Sequence, residues 1–357
     1  MKRIVLTGGG TAGHVTPNIA LVTKLQESGY DVHYIGSYTG IEKELIEKIG
    51  IPYYGISSGK LRRYFDIKNF TDPFKVLKGY QEAKKLMKRL NPNVIFSKGG
   101  FVSVPVVLAA RHRHIPVLIH ESDITPGLAN KLCIPSAKRV CANFPETENY
   151  LPAGKAVITG TPIRKELFAG NKIKGLEFCG FTANKPVIMI VGGSTGAAAV
   201  NEAVRNLLPT LLKQFQVVHL CGKGKTDGAY SHLEGYVQFE YISSELSDIF
   251  AAADLVISRA GANAICELLA LKKPNILIPL SAAASRGDQI LNAESFERQG
   301  YSYVIKEENL TNETLLEGIK QVTASKEAYI EAMSNSKQND SIELIIGLLE
   351  EIQKNRK

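Results

Sequence analysis

The feature that most constrains this chain is a short apolar segment that runs into a glycine-rich turn and then into a helical stretch. It occurs at the start of both halves, where Ile4–Leu6 precedes Gly8–Gly10 and Val187–Val191 precedes Gly192–Gly193. Similar β-branched segments alternate with helical stretches throughout, which indicates βαβ units and parallel sheets. A chain of 357 residues also exceeds the usual size of one hydrophobic core. We therefore predict an α/β fold of two Rossmann-like domains, with parallel sheets that face a central cleft.

The boundary between these domains is expected near Gly160–Arg164. This gives an N-terminal domain of residues 1–160 and a C-terminal domain of residues 161–340. Residues 341–357 alternate apolar and charged side chains at helical spacing and end in cations. We predict a terminal helix there, packed back on the N-terminal domain.

The compartment follows from what the sequence lacks. The opening apolar stretch is too short for a signal peptide, and no run approaches the roughly 18 apolar residues of a membrane-spanning helix. Five scattered cysteines form no C-x-x-C pair, which is typical of buried thiols in a reducing compartment. We therefore expect a cytoplasmic protein.

The positive charge is concentrated in one segment. From Lys60 to Arg89 there are ten basic and three acidic residues, within a chain of formal net charge +8. Such a segment indicates a polyanionic partner, either nucleic acid or an acidic membrane surface. No aromatic stacking platform or zinc pattern accompanies it, so we expect no nucleic acid.

The first glycine turn, Gly8–Gly13, satisfies G-x-G-x-x-G, and Asp31 lies where an NAD enzyme places its ribose-binding acid. Alone, it favours a nicotinamide enzyme as much as any alternative. Two further strand–glycine–helix junctions follow, at Gly99–Gly100 and at Gly192–Gly196. Three junctions suit two separate diphosphates better than one dinucleotide, because N–H groups at helix starts bind phosphate. Glycine in tight βα turns also has a purely structural use.

A histidine follows the first glycine turn directly. His14 precedes Thr16–Pro17, and proline is tolerated in the first turn of a helix. The positive end of the helix dipole there disfavours protonation, and a neutral imidazole is what a general base requires. His14 is therefore a candidate base, with phosphate contact or helix capping as the alternative.

Together these residues resemble the motifs of the MurG family of glycosyltransferases, in order and over nearly the whole chain. The motifs are His14, Gly-Gly-Phe-Val-Ser at 99–103, His120-Glu121, Gly-Gly-Ser at 192–194, Ser-Arg-Ala-Gly-Ala at 258–262 and Gly-Asp-Gln at 287–289. The resemblance implies a GT-B fold and a hexosyltransferase of peptidoglycan synthesis. It would move N-acetylglucosamine from UDP-N-acetylglucosamine to the muramyl 4-hydroxyl of an undecaprenyl-diphosphate-linked muramyl pentapeptide.

The resemblance also implies roles for individual residues. In the C-terminal domain, Arg164 and Ser194 would approach the UDP, Glu267 would bond the ribose, backbone near Ile242 would read uracil, and Gln289 would hold the sugar. In the N-terminal domain, the glycine loops would cradle the acceptor diphosphate, and Thr11, Ala12 and Gly13 would also approach the donor sugar. The basic and apolar segment 60–89 would contact an anionic membrane, which places the protein at the cytoplasmic membrane face.

Four positions in three of the motifs depart from the family pattern. Ser122-Asp123 replaces Gln-Asn, which removes a donor contact that relatives assign to the asparagine. Phe101 replaces a tyrosine, so no hydroxyl is available there. Ala12 replaces a glycine in the first loop, and a helix N-terminus can absorb that change.

The expected reaction is an inverting single displacement, which needs one base and no covalent intermediate. His14 is the first candidate for this base and Glu121 the second. The sequence has no D-x-D pair placed to bridge a metal to a diphosphate, so we expect no cofactor and no strict metal requirement. The alternatives are an NAD-dependent oxidoreductase, a UDP-sugar epimerase on the same fold and a non-catalytic nucleotide-binding protein.

Overall fold

The computed structural model describes residues 2–59, 68–193, 197–282 and 287–354. Ser194 and the first eight residues of the basic segment, 60–67, therefore lie outside the described residues. The chain divides into two compact units. The N-terminal unit comprises Met1–Arg164 and Gln338–Lys357, and the C-terminal unit comprises Lys165–Lys337.

In the described part of the N-terminal unit, seven strands form one parallel sheet. They are β1 (Lys2–Thr7), β2 (Tyr30–Ser37), β3 (Tyr53–Ile56), β4 (Val94–Ser97), β5 (Val117–Glu121), β6 (Arg139–Ala142) and β7 (Ala156–Ile158). The helices between them are α1 (Thr16–Glu27), α2 (Ile41–Lys48), α3 (Lys68–Leu90), α4 (Ser103–His112) and α5 (Leu128–Cys133).

The described part of the C-terminal unit repeats this plan with a six-stranded parallel sheet. Its helices are α6 (Lys172–Cys179), α7 (Ala198–Leu211), α8 (Leu246–Ala252), α9 (Ala262–Ala270), α10 (Asp288–Arg298), α11 (Asn312–Ala324) and α12 (Lys326–Ser334). Its strands are β8 (Val187–Val191), β9 (Gln216–Leu220), β10 (Tyr236–Phe239), β11 (Leu255–Ser258), β12 (Asn275–Leu277) and β13 (Tyr303–Val304).

The strand order decides where each unit can bind a ligand. The orders are β3-β2-β1-β4-β5-β6-β7 and β10-β9-β8-β11-β12-β13, and in both the order reverses beside the first strand. Ligands of open parallel sheets lie beyond the carboxyl ends of the strands at such a reversal. The three predicted glycine junctions follow β1, β4 and β8, three of the four strands that flank the two reversals. The predicted pair of Rossmann-like folds is confirmed.

The sheet of the N-terminal unit is buried on both faces, as a doubly wound fold requires. One core cluster includes Met87 of α3 and Val107 of α4. The other joins Leu21 of α1 to the last helix, α13 (Ser341–Lys354), through Ile345 and Leu349. A hydrogen bond of 2.9 Å from Ser341 Oγ to the carbonyl oxygen of Thr161 fixes the start of that helix.

Candidate active site

Two glycine loops meet at the strand reversal of the N-terminal unit. The first follows β1 and the second follows β4, and these two strands are paired. A Cβ atom on Gly100 would collide with the carbonyl oxygen of Gly9, and Gly100 has φ +85°. Glycine at this position therefore permits direct backbone contact between the loops. The loops form one continuous surface beyond the carboxyl ends of β1 and β4.

His14 lies on this surface in the short 3-10 turn Ala12–His14, which precedes α1. Its Nδ1 atom is 3.1 Å from the carbonyl oxygen of Gly9 and 3.1 Å from Thr11 Oγ1. A carbonyl oxygen can only accept, so Nδ1 carries the proton and donates it to Gly9. The lone pair of the neutral ring is therefore on Nε2, the atom that would accept a proton in catalysis.

The charge state of His14 is set by its surroundings. Burial of the ring is the main cause that lowers the pKa of His14 to about 4, and the nearby ammonium of Lys98 lowers it further. The hydrogen bond to Gly9 and the carboxylate of Glu42 act in the opposite direction. Burial and the charge of Lys98 are therefore the main causes that keep the imidazole of His14 neutral.

Ala12 and Gly13 lie in the same turn as His14, and Thr11 is the residue directly before it.

Beneath the second loop lies a buried polar network that the sequence analysis gave no role. Lys98 is only 1% exposed, and its Nζ donates to Nδ1 of His120 at 3.0 Å and to the hydroxyl of Ser122. His120 donates from Nε2 to the carbonyl oxygen of Gly160 at 2.9 Å. Burial and Lys98 hold the pKa of His120 well below its usual value, so this ring is neutral. A lysine directly between a buried strand and a glycine pair was the signal available in the sequence.

Glu121, the second candidate base, is engaged by the loop that follows it. Its Oε1 accepts from the backbone N–H groups of Ser122 and Asp123, at 2.8 and 3.2 Å. Its Oε2 accepts from the N–H of Gly127 and from the side-chain amide of Asn130, at 3.0 and 2.8 Å. Burial raises the pKa of Glu121, and these hydrogen bonds oppose the shift. Both oxygens are occupied by donors that fix the loop, and this favours His14 as the base.

Three of the residues assigned to the donor lie in segments that follow strands of the C-terminal sheet. Glu267 is half-buried on α9, the helix that follows β11 across the strand reversal from β8. Ile242 is buried in the segment between β10 and α8. Gln289 is the second residue of α10, and its Oε1 accepts from the N–H of Leu280 at 3.0 Å.

Two further residues are assigned to the UDP. Arg164 is the last residue of the first segment of the N-terminal unit, and among the described residues its buried Nε has no hydrogen-bond partner. Ser194 lies outside the described residues, directly after Gly192–Gly193 at the end of β8. Within the described ranges, no group of three or more His, Cys, Asp or Glu side chains is arranged to hold a metal ion.

The comparisons with known proteins agree with this two-unit arrangement. Residues 4–142 match the glycosyltransferase family 28 N-terminal domain, and residues 187–345 match the corresponding C-terminal domain. A crystal structure of MurG from Acinetobacter baumannii superimposes with a TM-score of 0.77 at 28% identity, over 98% of this chain and 100% of that one. A UDP-GlcNAc 2-epimerase from Neisseria meningitidis, at 12% identity and a TM-score of 0.70 over 98% and 100% of the chains, shares the fold alone.

Two curated relatives are much more similar in sequence. The protein of Lachnoclostridium phytofermentans is 78% identical over 99% of both chains, and that of Lachnospira eligens is 66% identical over 98% and 99%. Both are named UDP-N-acetylglucosamine--N-acetylmuramyl-(pentapeptide) pyrophosphoryl-undecaprenol N-acetylglucosamine transferase. This chain therefore belongs to glycosyltransferase family 28 and, within it, to the family of these N-acetylglucosamine transferases.

Proposed function

We propose that this protein transfers N-acetylglucosamine from UDP-N-acetylglucosamine to an undecaprenyl-diphosphate-linked muramyl pentapeptide, a step of peptidoglycan synthesis. The observation that carries the proposal is the geometry of His14. Its hydrogen bond to Gly9 presents a neutral Nε2 at the carboxyl edge of the sheet, beside the second glycine loop. A base in this state is what an inverting transferase requires.

The proposed reaction is a single displacement at the anomeric carbon of the donor. The muramyl 4-hydroxyl attacks that carbon as the bond to the UDP oxygen breaks, and the α linkage becomes β. His14 Nε2 takes the hydroxyl proton, and UDP leaves with the bonding electron pair. Since the leaving group is a diphosphate, it needs stabilisation of negative charge more than a strong acid.

The donor contacts are proposed from family resemblance and from position in the fold. Glu267 would accept two hydrogen bonds from the ribose diol, backbone near Ile242 would read uracil, and Gln289 would hold the sugar. Arg164 and Ser194 would contact the diphosphate, where a guanidinium can form paired hydrogen bonds with phosphate oxygens. In support, Ile242, Glu267 and Gln289 all follow carboxyl ends of strands in the C-terminal unit.

The acceptor is lipid-linked, and we propose that the N-terminal unit meets an anionic membrane at the cytoplasmic face. Among the described residues, no helix is both long enough and apolar enough to cross a bilayer. On α3, Phe74 and Leu77 are 76% and 55% exposed. The cations Lys75 and Lys78 alternate with them and form ion pairs with Asp72 and Glu82, at 3.3 and 3.9 Å. Such a surface can bind an anionic membrane through apolar insertion and through an electrostatic attraction of about 1 kcal/mol per near-surface cation.

A test is the release of UDP from UDP-N-acetylglucosamine, with and without the lipid-linked muramyl acceptor, in detergent or anionic vesicles. We expect acceptor-dependent release with formation of a disaccharide product. Donor consumption without acceptor would indicate the epimerase reaction instead. Binding and oxidation of NADH would indicate the oxidoreductase, and nucleotide affinity without turnover would indicate a binding protein. Each of these outcomes contradicts the proposal.

A further inference from the structure

A fully buried carboxylate lies behind the first glycine loop. Glu42, the second residue of α2, is 0% exposed. Its Oε1 accepts hydrogen bonds from the backbone N–H of Ser37 at 3.1 Å and from the Ser37 hydroxyl at 2.5 Å. Its Oε2 accepts from the N–H of Gly10 at 3.2 Å. The carboxylate thus joins the end of β2 to the loop that follows β1.

The chain leaves space for this carboxylate by means of glycine. A Cβ atom on Gly9 would lie 2.5 Å from Glu42 Oε1, and one on Gly40 would collide with both carboxylate oxygens. Real Cβ atoms do not approach oxygen so closely, so both positions require glycine while Glu42 keeps this place. One function of these glycines is therefore to leave room for the carboxylate of Glu42. The N–H of Gly10 donates its hydrogen bond to this carboxylate.

The same loop fixes the orientation of His14. Glu42 holds the N–H of Gly10, and the carbonyl oxygen of the preceding Gly9 accepts from Nδ1 of His14. Gly100 of the second loop rests on that same carbonyl group. The position of one peptide group thus depends on Glu42 and decides which nitrogen of His14 is protonated. Among the described residues, the charged side chains that shift the pKa of His14 are Lys98, which lowers it, and Glu42, which raises it.

We propose that Glu42 is a positioning residue for the reaction, which holds the first glycine loop so that His14 presents Nε2 as its basic atom. The proposal rests on the proposed function above, in which His14 takes the proton of the acceptor hydroxyl. Glu42 itself is buried and need not touch either substrate.

The test compares Glu42→Gln with Glu44→Gln, which removes an exposed carboxylate two residues further along the same helix. Glutamine has nearly the same shape, but one carboxylate oxygen becomes an NH₂ donor. If the remaining oxygen accepts from Ser37, the NH₂ faces the N–H of Gly10, and the loop must move. We expect kcat to fall by about 10- to 100-fold, the scale of a misplacement near 1 Å. KM for UDP-N-acetylglucosamine should change by less than kcat, because Ile242, Glu267 and Gln289 hold the donor from the C-terminal unit and only the contacts of the first loop to the donor sugar are disturbed.

A second readout follows the imidazole directly. In ¹⁵N spectra of histidine-labelled protein near neutral pH, we expect the Nδ1–H form of His14 in wild type and in Glu44→Gln. Glu42→Gln should show a mixture that includes the Nε2–H form. This measurement needs no turnover, so it separates the role of Glu42 from the identity of the reaction. If the wild-type protein shows no transferase activity, the proposed function is wrong, but the role of Glu42 in orienting His14 is not affected.

An unchanged kcat together with an unchanged tautomer in Glu42→Gln would overturn the positioning role. If Glu42→Gln does not fold, Ser37→Ala replaces it, because it removes one hydrogen bond to Oε1 and keeps the carboxylate. For this variant we expect a loss of kcat of about three- to tenfold and a partial change of tautomer. Wild-type values for both quantities in folded Ser37→Ala would likewise refute the inference.

Discussion

At the scale of single residues, the pKa of His14 makes a direct prediction about pH. A general base works only when it is neutral, and a base with a pKa of about 4 stays neutral as the pH falls from 8 to 6. An unperturbed histidine, with a pKa of about 6.5, would lose half of its neutral form by pH 6.5. We therefore expect kcat/KM to show no fall assignable to His14 between pH 8 and 6.

Substitution of the proposed base tests the same assignment: His14→Ala should lower kcat by about 10²- to 10⁴-fold. His112→Ala is the control, because His112 is exposed at the end of α4 and belongs to no site described above. It should keep both the rate and the pH profile of wild type. A loss of rate centred near pH 6.5 in wild type, or full activity in His14→Ala, would contradict the assignment of the base.

The sequence predicted where the loop residues lie, but it did not predict the side chains that set the orientation and charge state of His14. His14 was found because it follows a glycine turn directly. Glu42 and Lys98 are 28 and 84 residues further along the chain, and they reach the loop only because β2 and β4 both pair with β1. Glu121 was the second candidate base, but three of its donors come from the loop after β5 and the fourth, Asn130, from α5, and the sequence does not specify the path that brings them together.

At the scale of elements, strand and helix positions followed from apolar periodicity, and α13 adds a test of packing. Leu349 of α13 is fully buried in the core cluster with α1 and β1, whereas Leu344 on the same helix is 40% exposed. We expect Leu349→Ala to lower the free energy of unfolding by about 2–5 kcal/mol, the range for buried leucines. Leu344→Ala should change it by no more than about 0.5 kcal/mol.

Urea unfolding, followed by the fluorescence of a probe in the N-terminal unit, measures both variants. The two substitutions remove the same side chain from the same helix, so helix propensity contributes equally to each. Equal losses would mean that α13 contributes through helix formation alone. A larger loss for Leu349→Ala attributes the difference to burial against the N-terminal core.

At the scale of the whole molecule, the two units share one plan, and glycine turns at both strand reversals could serve a nucleotide. The family resemblance divides them, with the nucleotide sugar in the C-terminal unit and the acceptor in the N-terminal unit. Local sequence patterns alone do not show which unit binds the nucleotide, because Gly8–Gly13 in the N-terminal unit also resembles a dinucleotide-binding loop. Nucleotide binding can be assigned to one unit by its effect on that unit's stability.

UDP alone should therefore protect the C-terminal unit against hydrogen exchange. A ligand at about 100 times its Kd stabilises the folded state that binds it by about 2.7 kcal/mol, and this slows exchange through unfolding by about 100-fold. We expect this slowing in β8, β11 and α9, where Glu267 lies, while amides of β1 and α13 exchange at their unliganded rates. Adenosine diphosphate at the same concentration is the control for uracil recognition, and it should protect neither unit. Slowing confined to β1 and α1 would move nucleotide binding to the first glycine loop and contradict the role proposed for Glu267.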